Sequence, residues 1–285
     1  MKLADIEFHI LVDGYVRLDG GAMFGVVPKP LWEKQFPADE RNRIRIAMNC
    51  LLIRAGGKSI LVETGAGDKW DAKTRDIYGL EGDPRLPERL AARGLKPADV
   101  ALVINTHLHF DHCGWNTRVV EGKVAPTFPH ARYVVQRGEL EHARQPTERD
   151  RASYLHENFD AVEASGQFWL LEGDREVAPG VEVLRVPGHT RDMQCVRLTA
   201  GGKTAFFFAD LIPTTAHLAF PWIMGYDLYP LTTLENKKKL IPQAAREDWL
   251  CLFAHDPKIP AAYLRQRNGK YVAEPVDLEQ GKLGS

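Results

Sequence analysis

Residues 105–115 read NTHLHFDHCGW, directly after the apolar run VALVI at 100–104. Three histidines and an aspartate fall between positions 107 and 112, at the end of what the apolar run predicts to be a buried strand. Side chains alternate along an extended chain, so His107, His109 and Asp111 can face one way. His112 follows Asp111 directly, and a turn or helix start there can swing both toward one centre. That many ligand-type side chains exceed what one tetrahedral zinc takes from a local loop, so two adjacent metal ions are the simplest reading.

A local cluster cannot complete two coordination spheres, and strand ends elsewhere offer isolated partners. His189 lies in VLRVPGHT, Asp210 ends AFFFAD and His255 ends LCLFAH. Each closes an apolar run, where sheet proteins gather their sites. His9, His130, His142 and His156 lack that setting and read as structural or solvated. His217, in TTAHLAFPWIMGYDLYP, reads as bordering a substrate cleft. Cys113 reads as a small packed thiol.

Composition removes several alternatives. The formal net charge of −1 gives no basic field for nucleic acid and no acidic tail. Cys50, Cys113, Cys195 and Cys251 form no CxxC pair, which argues for reduced thiols over a zinc knuckle or a disulfide framework. Asp5 and Glu7 interrupt any apolar leader, and no apolar stretch reaches the ~18 residues of a spanning helix. A cytoplasmic protein with no membrane segment is expected.

Strand-like runs fall at 6–18, 48–54, 59–63, 100–105, 132–136, 181–186, 195–199, 204–209 and 250–254. Helices are expected at 84–93, 137–144, 150–164 and 233–247, with a tail hairpin turning at Asn268-Gly269. The mixture is α/β or α+β. One internal echo organises it: CLLIRAGGKS at 50–59 matches CVRLTAGGKT at 195–204, and each is followed by an apolar strand. Matching hairpins suggest a single domain over 1–285 with duplicated halves, roughly 1–145 and 146–285, and two sheets packed face to face. The GGKS and GGKT segments are not phosphate loops, because Leu52 and Arg197 stand where that motif needs glycine.

The run His-x-His-x-Asp-His, followed by a strand-end His, Asp and His, resembles the metallo-β-lactamase superfamily across nearly the whole chain. The resemblance implies a four-layer αβ/βα sandwich of two mixed β-sheets flanked by helices, with a dinuclear site at one edge. It implies that His107, His109 and His189 hold one metal, that Asp111, His112 and His255 hold the other, and that Asp210 bridges them. Imidazoles and carboxylates in this ratio favour zinc, with iron, manganese or cobalt as other occupants. Glu63, in Glu63-Thr64-Gly65 where the superfamily often has Asp-Thr-Gly, is implied to orient a ligand imidazole.

The stretch DGGAMFGVVPKPLWEK at 19–34, together with ADLIPTTAH and FAHDP, resembles quorum-quenching acyl-homoserine lactonases of the YtnP-like branch. Methyl parathion hydrolase-like phosphotriesterases are close relatives. The implied reaction is opening of a homoserine lactone ring by a metal-bridging hydroxide, with Asp111 and Asp210 as the catalytic carboxylates. An apolar pocket of Met23, Phe24, Phe110, Trp115, Trp222, Ile223 and Tyr226, with His217, is expected to take the acyl chain. Phosphotriester or aryl ester hydrolysis at the same site is the alternative, and a non-catalytic metal-binding sensor a lesser one. The small-molecule ester is the expected partner, with a homodimer through the 19–34 loop also expected. Two departures stand out: Pro213 occupies the place where some lactonases carry a substrate-binding tyrosine, and Met193 replaces the second histidine of the usual His-Thr-x-Gly-His run.

Overall fold

The computed structural model describes residues 1–277; residues 278–285, which the expected domain includes, lie outside the described residues. Its first sheet has seven strands: β1 (Lys2–Leu3), β2 (Ile6–Asp19), β3 (Arg43–Ala55), β4 (Lys58–Val62) and β5 (Val100–Ile104), then, beyond a small ribbon of β6 (Thr117–Val120) and β7 (Lys123–Pro126), β8 (Arg132–Gln136) and β9 (Phe168–Leu171). β1 to β4 pair antiparallel, whereas β4, β5, β8 and β9 run parallel. The second sheet comprises β10 (Arg175–Ala178), β11 (Val181–Arg185), β12 (Gln194–Ala200), β13 (Lys203–Phe207), β14 (Leu250–Leu252), β15 (Ala261–Arg267) and β16 (Lys270–Pro275). Only its β13–β14 pair is parallel.

The unbroken apolar run in β3 has a direct cause. Leu51 and Ile53 join the core between the sheets, with Val183, Val196 and Leu198 from the other side. Cys50 and Leu52 face outward into a second cluster with Leu86, Leu90 and Val103. Both faces of the strand are covered, so neither alternates with polar residues. Each such side chain taken from water contributes roughly 1.5–3 kcal/mol.

The Ala-Gly-Gly-Lys echo builds the same hairpin in each sheet. Ala55 pairs with Lys58 and Ala200 with Lys203. The φ angles are 55° and 73° at Gly56 and Gly57, and 57° and 72° at Gly201 and Gly202. Positive φ at both central residues is the type I′ turn, which glycine adopts without steric cost. Asn268 and Gly269 repeat it in the tail hairpin, with φ of 50° and 73°.

The helices are α1 (Gly20–Phe24), α2 (Lys29–Trp32), α3 (Ala72–Ile77), α4 (Leu86–Ala91), α5 (Phe110–Cys113), α6 (Arg137–Arg144), α7 (Asp160–Ala164) and α8 (Pro230–Arg246). α8 starts earlier than the polar pattern suggests because Pro230 occupies its first position, where a missing N–H costs nothing. The single helix expected over 150–164 does not form. The chain there makes turns, a short 3-10 segment His156–Asn158 and then α7. The Ser153 carbonyl instead accepts the Phe110 N–H at 2.9 Å, and Asp150 accepts from the Thr147 backbone and hydroxyl. These tertiary and capping bonds displace the helical ones. Among the described residues no helix is long and apolar enough to cross a membrane.

Candidate metal centre

The centre assembles where several strands end on one edge of the sandwich. The chain leaves β5, bends at Thr106 and His107, is extended at His109, and then makes the single helical turn α5. Asp111 and His112 therefore project from a helical turn, while His107 and His109 precede it. Gly114 lets this turn close against Ala66, because a Cβ there would lie 2.0 Å from the Ala66 carbonyl carbon. His189 follows β11, Asp210 follows β13, and His255 follows β14. All seven predicted ligands are buried.

Their donor atoms form two groups. His107, His109 and His189 bring ligand atoms within 4.8 Å of one another, and so do Asp111, His112 and His255. Asp210 lies between them. Its Oδ2 is 3.3 Å from His189 Nε2, and its Oδ1 is 3.4 Å from His112 Nε2 and 3.1 Å from His255 Nε2. His109 Nδ1 and His189 Nε2 are 3.1 Å apart, and the Nε2 atoms of His112 and His255 are 3.0 Å apart. A four-coordinate cation with ligands near 2.0–2.1 Å sets its donors about 3.3 Å apart, so these spacings fit a cation in each group. His107 Nε2 and Asp210 Oδ1 are buried without a hydrogen-bond partner, an arrangement that a protein tolerates where a cation satisfies them.

The far side of four of the five rings is held; His109 Nε2 is buried without a hydrogen-bond partner. His112 Nδ1 lies 3.3 Å from Glu63 Oε1, His189 Nδ1 2.9 Å from Asp227 Oδ1, His255 Nδ1 2.8 Å from the Ala47 carbonyl, and His107 Nδ1 2.9 Å from the Thr106 hydroxyl. Such partners fix ring orientation and leave the other nitrogen for the metal. Glu63 is 2% exposed and adopts φ 62°, a left-handed kink at the end of β4 that carries its side chain inward. Asp227 is secured in turn by the Thr233 hydroxyl of α8, at 2.7 Å.

Electrostatics match the geometry. Burial, reinforced by neighbouring imidazoles, lowers the pKa of His107 and His109 well below the usual range, so both stay neutral. Burial also acts on His112, His189 and His255, but carboxylates together outweigh it and raise all three: Asp210 with Asp111 and Glu63 for His112, with Asp227 for His189, and with Asp111 for His255. Against its own burial, Asp210 is held well below the usual carboxylate range by His112, His255 and His189. The carboxylate is therefore ionised and ready to act as a ligand.

A cavity of about 410 Å³ opens onto these groups. Leu18, Met23, Ile46, Phe110, Met224 and Leu228 give it apolar walls, and Tyr78, Tyr226 and Arg149 add polar ones. Arg149 donates to the Gly225 carbonyl at 2.6 Å, tying the segment before Tyr154 to the one before α8. The Tyr78 ring packs on Phe110 at 4.6 Å. Neither the Tyr78 nor the Tyr226 hydroxyl has a hydrogen-bond partner among the described residues, and burial raises both pKa values, keeping them as donors.

Of the expected pocket residues, Met23, Phe110 and Tyr226 line this cavity, and the others do not. Phe24 is buried between Trp32 and His217, stacked at 5.2 and 5.0 Å. Trp222 packs edge-on against Phe24, and Trp115 donates its indole N–H to Asp13. Ile223 lies outside the cavity, its carbonyl packed against Gly25. His217 is likewise a scaffold residue: Nε2 sits 2.9 Å from the Met23 carbonyl and Nδ1 2.8 Å from the Thr214 hydroxyl. Burial pulls its pKa to about 3, so the ring is neutral and holds the 19–34 segment in place.

A family model described as the Metallo-beta-lactamase superfamily matches residues 45–255, a span that contains every one of these ligands. The chain belongs to that superfamily. It is 29% identical over 212 residues to the N-acyl homoserine lactonase AttM of Rhizobium radiobacter, covering 71% of this chain and 76% of that one. It superposes with a TM-score of 0.89 and 32% identity on a Staphylococcus aureus protein described as a probable metal-dependent hydrolase, covering 96% and 99% of the two chains. The dizinc quorum-quenching lactonase AidC shares the fold, with a TM-score of 0.80 and 21% identity over 97% of this chain and 96% of its own. As a superfamily member the chain is a metal-dependent hydrolase that binds divalent metal.

This superfamily member departs from the pattern at two places with clear local consequences. Pro213 offers only a carbonyl, which accepts the His255 N–H at 2.9 Å. Where the run after His189 loses its second histidine, Thr190 donates to Glu139 and Asp192 pairs with Arg185 at 2.5 Å, and these contacts shape the turn. Sequence reasoning missed Asp227, Glu139, Tyr78 and Arg149. Each sits in an ordinary helix or loop with no motif around it.

Proposed function

We propose that this chain hydrolyses N-acyl-homoserine lactones with two divalent metal ions, zinc first among the candidates, held by His107, His109, His189, Asp111, His112, His255 and a bridging Asp210. The observation that carries the reading is the pair of donor groups sharing the two oxygens of Asp210. Lactonase relatives covering about three quarters of their length support the substrate class.

Two bound divalent cations would supply a water ionisable near neutral pH and a Lewis acid for the lactone carbonyl. The chain's own residues do the rest. Met23, Phe110 and Met224 receive the acyl chain, exclude water and orient the ring over the centre. Tyr78 and Tyr226, with free hydroxyls in the same cavity, donate to the carbonyl oxygen or to the departing ring oxygen. Asp111, at the cavity wall, carries the proton lost by the attacking water to that ring oxygen as the C–O bond breaks. The product is the ring-opened N-acyl-homoserine.

The test is a comparison of kcat/KM for acyl-homoserine lactones, aryl esters and aryl phosphotriesters on protein whose metal has been counted. Lactones are expected to be turned over fastest, with close to two ions per chain. Far faster phosphotriester or aryl ester turnover would make lactone opening a side activity, and fewer than one tightly held ion per chain would favour a non-catalytic role.

A further inference from the structure

Glu139 lies in the first turn of α6, 1% exposed, and takes no part in the chemistry above. Its Oε1 accepts the Leu108 N–H at 3.0 Å and the Tyr154 hydroxyl at 3.0 Å, and its Oε2 accepts the Thr190 hydroxyl at 2.6 Å. Leu108 separates His107 from His109, and Thr190 follows His189. The Tyr154 ring lies edge-on against His109, with centroids 4.7 Å apart. One buried carboxylate thus reaches the flanks of every histidine in the first group, across three segments far apart in sequence.

All three donors are neutral. A buried carboxylate without a cationic partner is expensive, and a neutral side chain of the same shape would be cheaper for folding alone. The charge has a use if a cation sits just beyond the imidazoles. We propose that Glu139 is a positioning residue that sets the His107, His109 and His189 group and raises its affinity for a divalent cation. The inference rests on the reading of those histidines as ligands.

The test is titration of Zn²⁺ against a chromophoric chelator, using metal-stripped wild type, Glu139→Gln and Thr190→Val, alongside thermal melts of the metal-free proteins. Glutamine keeps the shape and removes the charge. The expected result for Glu139→Gln is a metal-free Tm equal to or above wild type, with one Zn²⁺ equivalent weakened about 10–100-fold. Thr190→Val, which removes the shortest contact and leaves the carboxylate, should weaken the same equivalent by less, and it carries the test if Glu139→Gln does not fold. Wild-type affinity for both equivalents in Glu139→Gln, or a lowered metal-free Tm with unchanged affinity, overturns the proposal alone. Wild-type protein that takes up no Zn²⁺ overturns the metal reading and this proposal together.

Discussion

Asp210 offers one oxygen to each donor group, whereas His217, seven residues on, has both ring nitrogens committed to the scaffold. Substituting each therefore gives opposite signatures. Asp210→Asn removes the charge that three imidazoles face; kcat should fall at least about 100-fold with loss of bound metal, while circular dichroism stays native. His217→Ala should keep its metal but lose about 1–3 kcal/mol of stability, since the Met23 carbonyl is left without its donor and Phe24 loses a stacked ring. Full activity in Asp210→Asn, or metal-poor His217→Ala, would show that the two roles are misassigned. The candidate ligands were legible because histidine and aspartate at strand ends are locally conspicuous. Asp227 and Glu139 were not, because an acidic residue beside or within a polar helix looks solvated until its neighbours are known.

At the scale of elements, α8 is the support for one side of the centre. Thr233 holds Asp227, and Asn236 donates to the Pro187 carbonyl at 2.7 Å, both on the face of α8 that meets the His189 loop. Gly188 lies so close that a Cβ would come within 2.4 Å of the Thr233 hydroxyl. Lys237, on the same face, is fully buried and donates to the carbonyls of Ala219, Phe220 and Trp222. Burial pulls its pKa down from 10.5 to about 7, with Asp227 opposing. The folded state then binds fewer protons than the unfolded one between those values, so this group's contribution to stability rises with pH across that window and is lost as pH falls through about 7. Wild-type Tm minus that of Lys237→Met should accordingly climb from pH 7 to pH 10, and a flat difference would remove Lys237 as the cause. Most β-strands were readable from apolar runs, and α6 from its polar pattern, whereas β1, β6, β7, β9 and β10 were not, being two to four residues long. The 150–164 segment was not, because bonds to Phe110 and Thr147 outcompeted its helical propensity.

For the molecule as a whole, the centre joins two sheets that otherwise meet through an apolar core and a few buried polar contacts, such as Gln136 to Gln194 at 2.8 Å and Asn49 to the Phe253 carbonyl at 2.9 Å, with His107 to His112 from one half and His189, Asp210 and His255 from the other. A ligand held only by the folded state stabilises it by about 2.7 kcal/mol at a hundredfold excess over Kd. For a chain of this size that corresponds to a Tm change of roughly 4–5 °C. Chelation should lower Tm by at least that much and Zn²⁺ should restore it, as followed by calorimetry. An unchanged Tm after verified metal removal would mean that the two halves are held by their core alone.

By itself the sequence determined most of the strands, the paired Gly-Gly hairpins and seven candidate donors, because alternation, turn chemistry and ligand type are written over a few consecutive residues. Only the tertiary structure decided which side chains face the cavity and that Asp227 stands behind the His189 ring. His189 meets Asp227 across 38 positions and His217 meets Met23 across 194. Contacts at that range depend on how whole sheets and loops pack, and no local pattern encodes them.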